Sequence, residues 1–140
     1  MGKESVADSP KELSVAERGE PLIRSAPMPA DMNGNGDIFG GWVLSQMDIA
    51  GGIVAARRAQ GRVVTVAVDA MTFHQPIKVG DIVSIYGRVI RVGRSSMAVK
   101  METIVARRLD PTEIKVTEGV YTYVAIDENG KPRPVPAEGK

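Results

Sequence analysis

The residues best equipped for chemistry lie in a polar, glycine-rich stretch, Asn33-Gly34-Asn35-Gly36-Asp37-Ile38-Phe39-Gly40-Gly41-Trp42, which runs straight into the apolar segment Val43 to Ala56. Glycines at 34, 36, 40 and 41 allow a sharp turn and leave amide N–H groups uncovered by side chains. Asn33, Asn35 and Asp37 are all of types that cap a helix start. A bare helix N-terminus attracts anions, because its first amides have no intrahelical acceptor. About two turns further on comes Asp48, an acid in a helix that is apolar on nearly every face and is therefore expected to be buried on most sides. Its neighbours three and four positions away are Leu44, Ser45, Gly51 and Gly52, and none can pair with its charge. Asp48 is either a buried carboxylate satisfied by a neighbouring strand or subunit, or a catalytic group. Gly51 and Gly52 weaken a helix, so another backbone or a ligand is expected to approach closely beside Asp48.

Composition narrows the chemistry. A chain of 140 residues supports one domain, and with 43% apolar residues but only one Trp, three Tyr and two Phe its core must be built from Val, Ile, Ala, Leu and Met. A net charge of +1, with no stretch interleaving Lys or Arg with aromatics, argues against nucleic-acid binding. The absence of cysteine removes disulfides, thiol nucleophiles and thiolate metal sites. The single histidine, His74, argues against a multi-histidine metal site and against a Ser-His-Asp triad, so no metal is expected. His74 has no acid at helical or strand spacing and reads as a structural strand residue. Met1 to Gly19 carries no apolar run, which fits neither a signal peptide nor a spanning helix; a cytoplasmic location and no membrane insertion are expected.

Taken in order, residues 1–20 read as a flexible tail with a loose helical turn around Pro10 to Arg18, residues 21–136 as a single domain, and 137–140 as a C-terminal tail. Leu22-Ile23-Arg24 begins a short extended segment that ends before Pro27 and Pro29. The long helix should stop near Ala59-Gln60-Gly61, with Gly61 as terminator. Strands are predicted over Val63 to Val68, with room to continue through Asp69 to Phe73 before Pro76 ends it, and over Ile82 to Val92, Ser95 to Arg108 and Ile114 to Ile126, separated by turns at Val79-Gly80-Asp81, Gly93-Arg94 and Leu109-Asp110-Pro111-Thr112. In the third of these, Met97, Val99, Met101, Thr103 and Val105 alternate with polar residues; in the last, Val116, Val120, Val124 and Ile126 are expected on one side. Asn129-Gly130 is a turn signal, and the chain from Pro132 reads as irregular. The simplest packing is α+β: an antiparallel sheet wrapped around one central helix.

This order, with Met28-Pro29-Ala30-Asp31, the Asn33 to Trp42 loop and Met47-Asp48, closely resembles the YciA-like acyl-CoA thioesterases of the hotdog fold. The likeness continues through Gly61 to Val66, Met71-Thr72-Phe73 with Pro76, Val79-Gly80-Asp81 and Val92 to Ser96, covering roughly residues 22–136. It implies a five- to six-stranded antiparallel sheet around the helix, and hydrolysis of acyl-CoA to free acid and CoA. Asp48 would be the helix-borne acid, acting either as general base on water or as nucleophile. The amide of Gly41, with Gly40 beside it, would polarise the thioester oxygen. Asp37 would be a second polar catalytic or positioning residue, or simply a helix cap. Asn33, Asn35 and Gly40 would line the substrate, and Arg94, Ser95 and Ser96 would contact the CoA nucleotide. No cofactor is needed beyond CoA itself, which is part of substrate and product. Such enzymes pair edge to edge as dimers, and commonly as trimers of dimers, with loop donors of one subunit facing the acid of the other.

Two competing functions are distinguishable. A hotdog dehydratase needs a His paired with an acid. A non-catalytic acyl-CoA sensor would keep the fold and bind without turnover.

Overall fold

The computed structural model describes residues 15–138; residues 1–14 of the expected N-terminal tail and 139–140 of the C-terminal one lie outside them. The elements are a single helical turn α1 (Val15–Arg18), β1 (Ile23–Ser25), a 3-10 turn (Pro29–Asp31), the long helix α2 (Gly40–Ala59), β2 (Val63–Phe73), β3 (Ile82–Val92), β4 (Ser96–Arg107) and β5 (Asp110–Ala125). The strands form one sheet in the order β1-β3-β4-β5-β2, with every neighbouring pair antiparallel. The helix lies on one face of this sheet, burying Val43, Met47, Ala50, Ala55 and Ala59 against Val83, Ile85, Met97, Val99, Met101, Val105, Tyr121 and Tyr123. Each fully buried large side chain in this set contributes ~1.5–3 kcal/mol.

The alternation expected in β4 is present: Met97, Val99, Met101, Thr103 and Val105 are all buried. In β5 the expected face is corrected. A register shift opposite Thr103 and Ile104 leaves Val116 unpaired between Lys115 and Thr117, and beyond it Tyr121, Tyr123 and Ala125 join the core while Val120 and Val124 lie half-buried on the other side. A bulge inserts one extra residue and so reverses which side chains face the core. The predicted break at 109–112 is also shorter than expected. Arg107 pairs with Asp110, so the turn is confined to Arg108 and Leu109, and Pro111 falls within the first residues of β5.

Helix burial differs from expectation as well. The sheet covers one face only, and Ile49, on the opposite face, is 56% exposed. At the helix end it is Gln60, not Gly61, that takes the left-handed conformation. Gly61 is needed for a different reason: a Cβ there would fall 2.4 Å from the Arg133 guanidinium. That guanidinium donates to the carbonyls of Ala59 (2.9 Å) and Ile126 (3.0 Å), supplying a donor to the end of the helix, whose last carbonyls have none within the helix. The chain from Pro132 is irregular yet docked, with Val135 N–H donating to Arg94 O at 2.8 Å. At the other terminus, Arg18 anchors the described end of the expected tail by pairing with Glu102 at 3.2 Å and lying over the Tyr86 ring.

Candidate active site

The glycine-rich loop is organised by Asn33. Its Oδ1 accepts the amides of Asn35 (2.8 Å) and Asp37 (3.2 Å), its own N–H donates to Asp37 O (2.7 Å), and its carbonyl accepts from Gly36 (3.1 Å). Ile38 and Phe39 N–H then donate to Ile77 O and Asp31 O, both at 2.9 Å, pinning the loop to the body of the protein. The helix cap is Phe39, whose side chain caps nothing, so none of Asn33, Asn35 and Asp37 serves as the helix cap. The Asp37 carboxylate instead pairs with the Lys78 ammonium. Phe39 O accepts the amides of Trp42 (3.1 Å) and Val43 (3.4 Å), while the Gly40 and Gly41 amides donate to no described group. A Cβ at Gly41 would meet nothing within 4 Å, so the protomer leaves open the space a side chain would take there.

Asp48 lies seven residues further along the same helix face, bordering a cavity of about 460 Å³ that is also lined by Gly41, Leu44, Ser45, Thr65, Val68, Met71, Phe73 and Tyr121. Its isolation within the helix is resolved from the sheet. Thr65 Oγ donates to Asp48 Oδ1 at 2.7 Å, and the Tyr123 hydroxyl lies 2.9 Å from the same oxygen and 3.0 Å from the Asp48 carbonyl. No described residue donates to Oδ2. The close approach expected at Gly51 is this tyrosine, because a Cβ at Gly51 would lie 2.3 Å from the Tyr123 hydroxyl oxygen. Gly52 meets nothing within 4 Å, so the protomer itself gives no reason for it.

Burial, followed by the hydrogen bond to Asp48 and its charge, raises the Tyr123 phenol well above the usual tyrosine range. Tyr121 is pushed up to about 12 by burial and then by the Asp48 charge. Both phenols therefore remain protonated donors at neutral pH. Tyr121 uses its proton on Leu44 O at 2.9 Å.

β2 supplies Thr65, Val68, Met71 and Phe73, a spacing no regular strand would place on one face. Register shifts between Thr65 and Ala67 and between Asp69 and Thr72 accomplish it, the second with Ala70 at φ 53°. Phe73 also borders a second cavity of about 290 Å³, where Asn33, Asp37 and Gly40 lie. Asn35 lines neither cavity, and Arg94, Ser95 and Ser96 lie at the β3–β4 hairpin, beside the C-terminal segment and away from both.

Thr65, Tyr121 and Tyr123 escaped the sequence reading. Two tyrosines at an i, i+2 spacing share a strand face, and in a chain with three tyrosines that pairing was the available signal. The expectation that His74 lacks an acid is corrected: its Nε2 lies 2.8 Å from Glu118 Oε2, a residue remote in sequence. Glu118 sits on the face of the sheet turned away from Asp48, tied to Lys100 and Lys115, whereas His74 also borders the second cavity with Asn33, Asp37 and Gly40.

Comparison with known proteins agrees with this geometry. Residues 35–109 match the thioesterase superfamily family model. The chain is 49% identical over 125 residues to the acyl-CoA thioester hydrolase YciA of Salmonella typhimurium, covering 87% of this chain and 94% of that one. Among solved structures it is similar to the hexameric thioesterase y2039 of Yersinia pestis (53% identity, TM-score 0.80, 85% of this chain and 97% of that one). It is also similar to Cj0915, a hexameric hotdog-fold thioesterase of Campylobacter jejuni (40% identity, TM-score 0.82, 86% and 92%). With an antiparallel sheet and one long helix among its described residues, and with these relatives, the chain belongs to the thioesterase superfamily, in the YciA-like branch of the hotdog fold.

Proposed function

We propose that this protein hydrolyses acyl-CoA thioesters to a free carboxylic acid and CoA, with Asp48 as the reacting acid and the Gly41 amide, flanked by Gly40, as oxyanion donor. The observation that carries this is an acid in an open, largely apolar cavity, held on one oxygen only and with no cation in the cavity lining. Oδ2 either takes a proton from water as the water oxygen bonds to the thioester carbon, or bonds to that carbon itself. In both cases the C–S bond breaks and the thiolate leaves; the second route gives a mixed anhydride that water then opens. The amide acts where negative charge develops on the carbonyl oxygen. Asn33 shapes the loop by holding the Asn35 amide, Asp37 lies on the substrate path beside the second cavity, and Arg94, Ser95 and Ser96 receive the nucleotide; the Arg94 guanidinium has no acid partner among the described residues. CoA is substrate and product, and no further cofactor is required.

The site is shared between two protomers. Gly41 and Asp48 face the same way but are separated by ~10 Å of helix axis at ~1.5 Å per residue. A hydrogen-bond donor and an attacking oxygen on one carbonyl must lie within ~6–7 Å of each other. For direct attack by Oδ2 this spacing favours a donor from a second copy. The outer edge of β2 is unpaired in the sheet, Val64, Val66, Val68, Phe73 and Ile49 are 41–56% exposed, and Gly52 is open; all suit pairing along that edge. Dimers would assemble further as trimers of dimers, as the hexameric relatives suggest. No helix among the described residues is long and apolar enough to cross a membrane, and a cytoplasmic location is part of the proposal.

Release of free thiol from a panel of acyl-CoA esters tests the activity, with Asp48→Asn expected to abolish it. Activity that survives Asp48→Asn defeats the site assignment, and binding without turnover in the wild type favours a sensor. Co-assembly of Asp48→Asn chains with Gly41→Ala chains tests the sharing. A random mixture of two-fold dimers regains about a quarter of wild-type activity if acid and donor come from different protomers. It regains none if they come from one.

A further inference from the structure

We propose that Tyr123, admitted through a notch in the helix at Gly51, is the positioning residue that selects which oxygen of Asp48 reacts. The inference rests on the hydrolase function above and adds a role to a residue outside the cavity lining. Thr65 and Tyr123 are directly opposed in the β2–β5 ladder, so their side chains leave neighbouring strands at one level and on one face. Both hydroxyls meet Asp48 Oδ1, at 2.7 and 2.9 Å, the single Tyr123 proton being shared with the Asp48 carbonyl at 3.0 Å, and Oδ2 receives no donor from the described residues. A carboxylate left free rotates and offers either oxygen. Held on Oδ1 by two donors from two strands, it presents Oδ2 to the cavity in one orientation, which is what a near-attack geometry requires.

The neighbouring structure is arranged around this contact. Tyr123 is 1% exposed, and its ring stacks on Tyr121 with centroids 6.3 Å apart and planes 16° from parallel. Tyr121 is itself fastened to Leu44 O at 2.9 Å, so the Tyr123 ring has little freedom to swing. Glycine in a helix interior weakens the helix, yet any side chain at position 51 would strike the Tyr123 hydroxyl at 2.3 Å. Glycine there makes room for the hydroxyl. The choice of donors also matters. A lysine or arginine would stabilise the charged carboxylate and blunt its reactivity; neutral hydroxyls orient it with a weaker hold.

The test compares wild type, Tyr123→Phe, Gly51→Ala and Asp48→Asn in thiol-release kinetics, with thermal unfolding of each. Loss of the positioning bond is expected to lower kcat ~10- to 100-fold, the range for removing a hydrogen bond to a charged group. KM should stay within about twofold, because Tyr123 does not line the cavity. Gly51→Ala, which displaces the hydroxyl, should show the same kcat-only defect and add little to Tyr123→Phe. A Tyr123→Phe variant with wild-type kcat, or one whose only changes are in KM or unfolding temperature, overturns the inference. Wild type without turnover overturns the hydrolase function, turnover retained in Asp48→Asn overturns the site assignment alone, and either result removes the role given to Tyr123.

Discussion

Two carboxylates, Asp48 and Glu118, lie on opposite faces of the same β2–β5 strand pair and are held in opposite ways. Glu118 is met by three nitrogen donors, His74 at 2.8 Å, Lys100 at 3.0 Å and Lys115 at 3.3 Å. Burial alone would raise its carboxyl, but the hydrogen bonds from His74, Lys100 and Lys115 and the charge of Lys100 outweigh it and bring it down to about 2. Asp48 is met by two neutral hydroxyls, both on one oxygen. A carboxylate surrounded by cations has its charge neutralised and its lone pairs engaged, so it serves the fold. One held on a single oxygen by neutral donors keeps both its place and a reactive atom. The His74–Glu118 pair supplies an acid-base partnership of the kind a dehydratase would need, but neither residue lines the cavity that Asp48 borders.

The contrast can be broken from either side. The largest effect should follow removal of charge at Asp48: Asp48→Asn is expected to lower kcat by ~1,000-fold or more while leaving thermal unfolding nearly unchanged. A large fall in unfolding temperature would make Asp48 a structural acid like Glu118. Next, Gly41→Ala should lower turnover ~100-fold by crowding the approach to the amide, although the protomer has room for the methyl and alanine favours a helix. A variant that is as stable as wild type but slow would locate the acyl group there; one that is fully active would move the oxyanion donor elsewhere. The smallest effect is expected at Glu118. Its folded-state value, about 2, lies below its ordinary 4.5, so its contribution to stability is complete above pH 4.5 and is lost as pH falls towards 2. Urea unfolding of Glu118→Gln should therefore lack that acid-side decline and show ~1–2 kcal/mol less stability at neutral pH, with kcat unchanged. A kcat that follows Glu118 would tie the outer face to catalysis.

Much of the site could be read along the chain because it is local. The loop-to-helix transition, the acid two turns in and the small residues beside it all lie within twenty residues, where helix periodicity relates sequence to space. Strand positions in β2, β3 and β4 follow from β-branched runs and turn residues for the same reason. Gly51 even announced that something approaches Asp48. It could not name Tyr123, which lies 72 positions later in the chain and reaches the helix only because β5 lies against it. The bulges were equally silent: alternation predicts a face until one extra residue reverses it, as happens at Val116 and twice in β2. His74 and Glu118 are joined by strand pairing across 44 residues, and no spacing rule within a single element could bring them together.

What the amino-acid sequence determined by itself was most of the elements and the raw materials of the site: a lone acid on an apolar helix, a glycine-rich start to that helix, and no thiol anywhere in the chain. What only the tertiary structure decided was the environment of that acid, meaning which strands face it, which of its oxygens is held and by what. The physical reason is that periodicity orders residues within an element, whereas register and bulges decide which residues meet between elements. Those depend on the packing of the whole sheet against the helix.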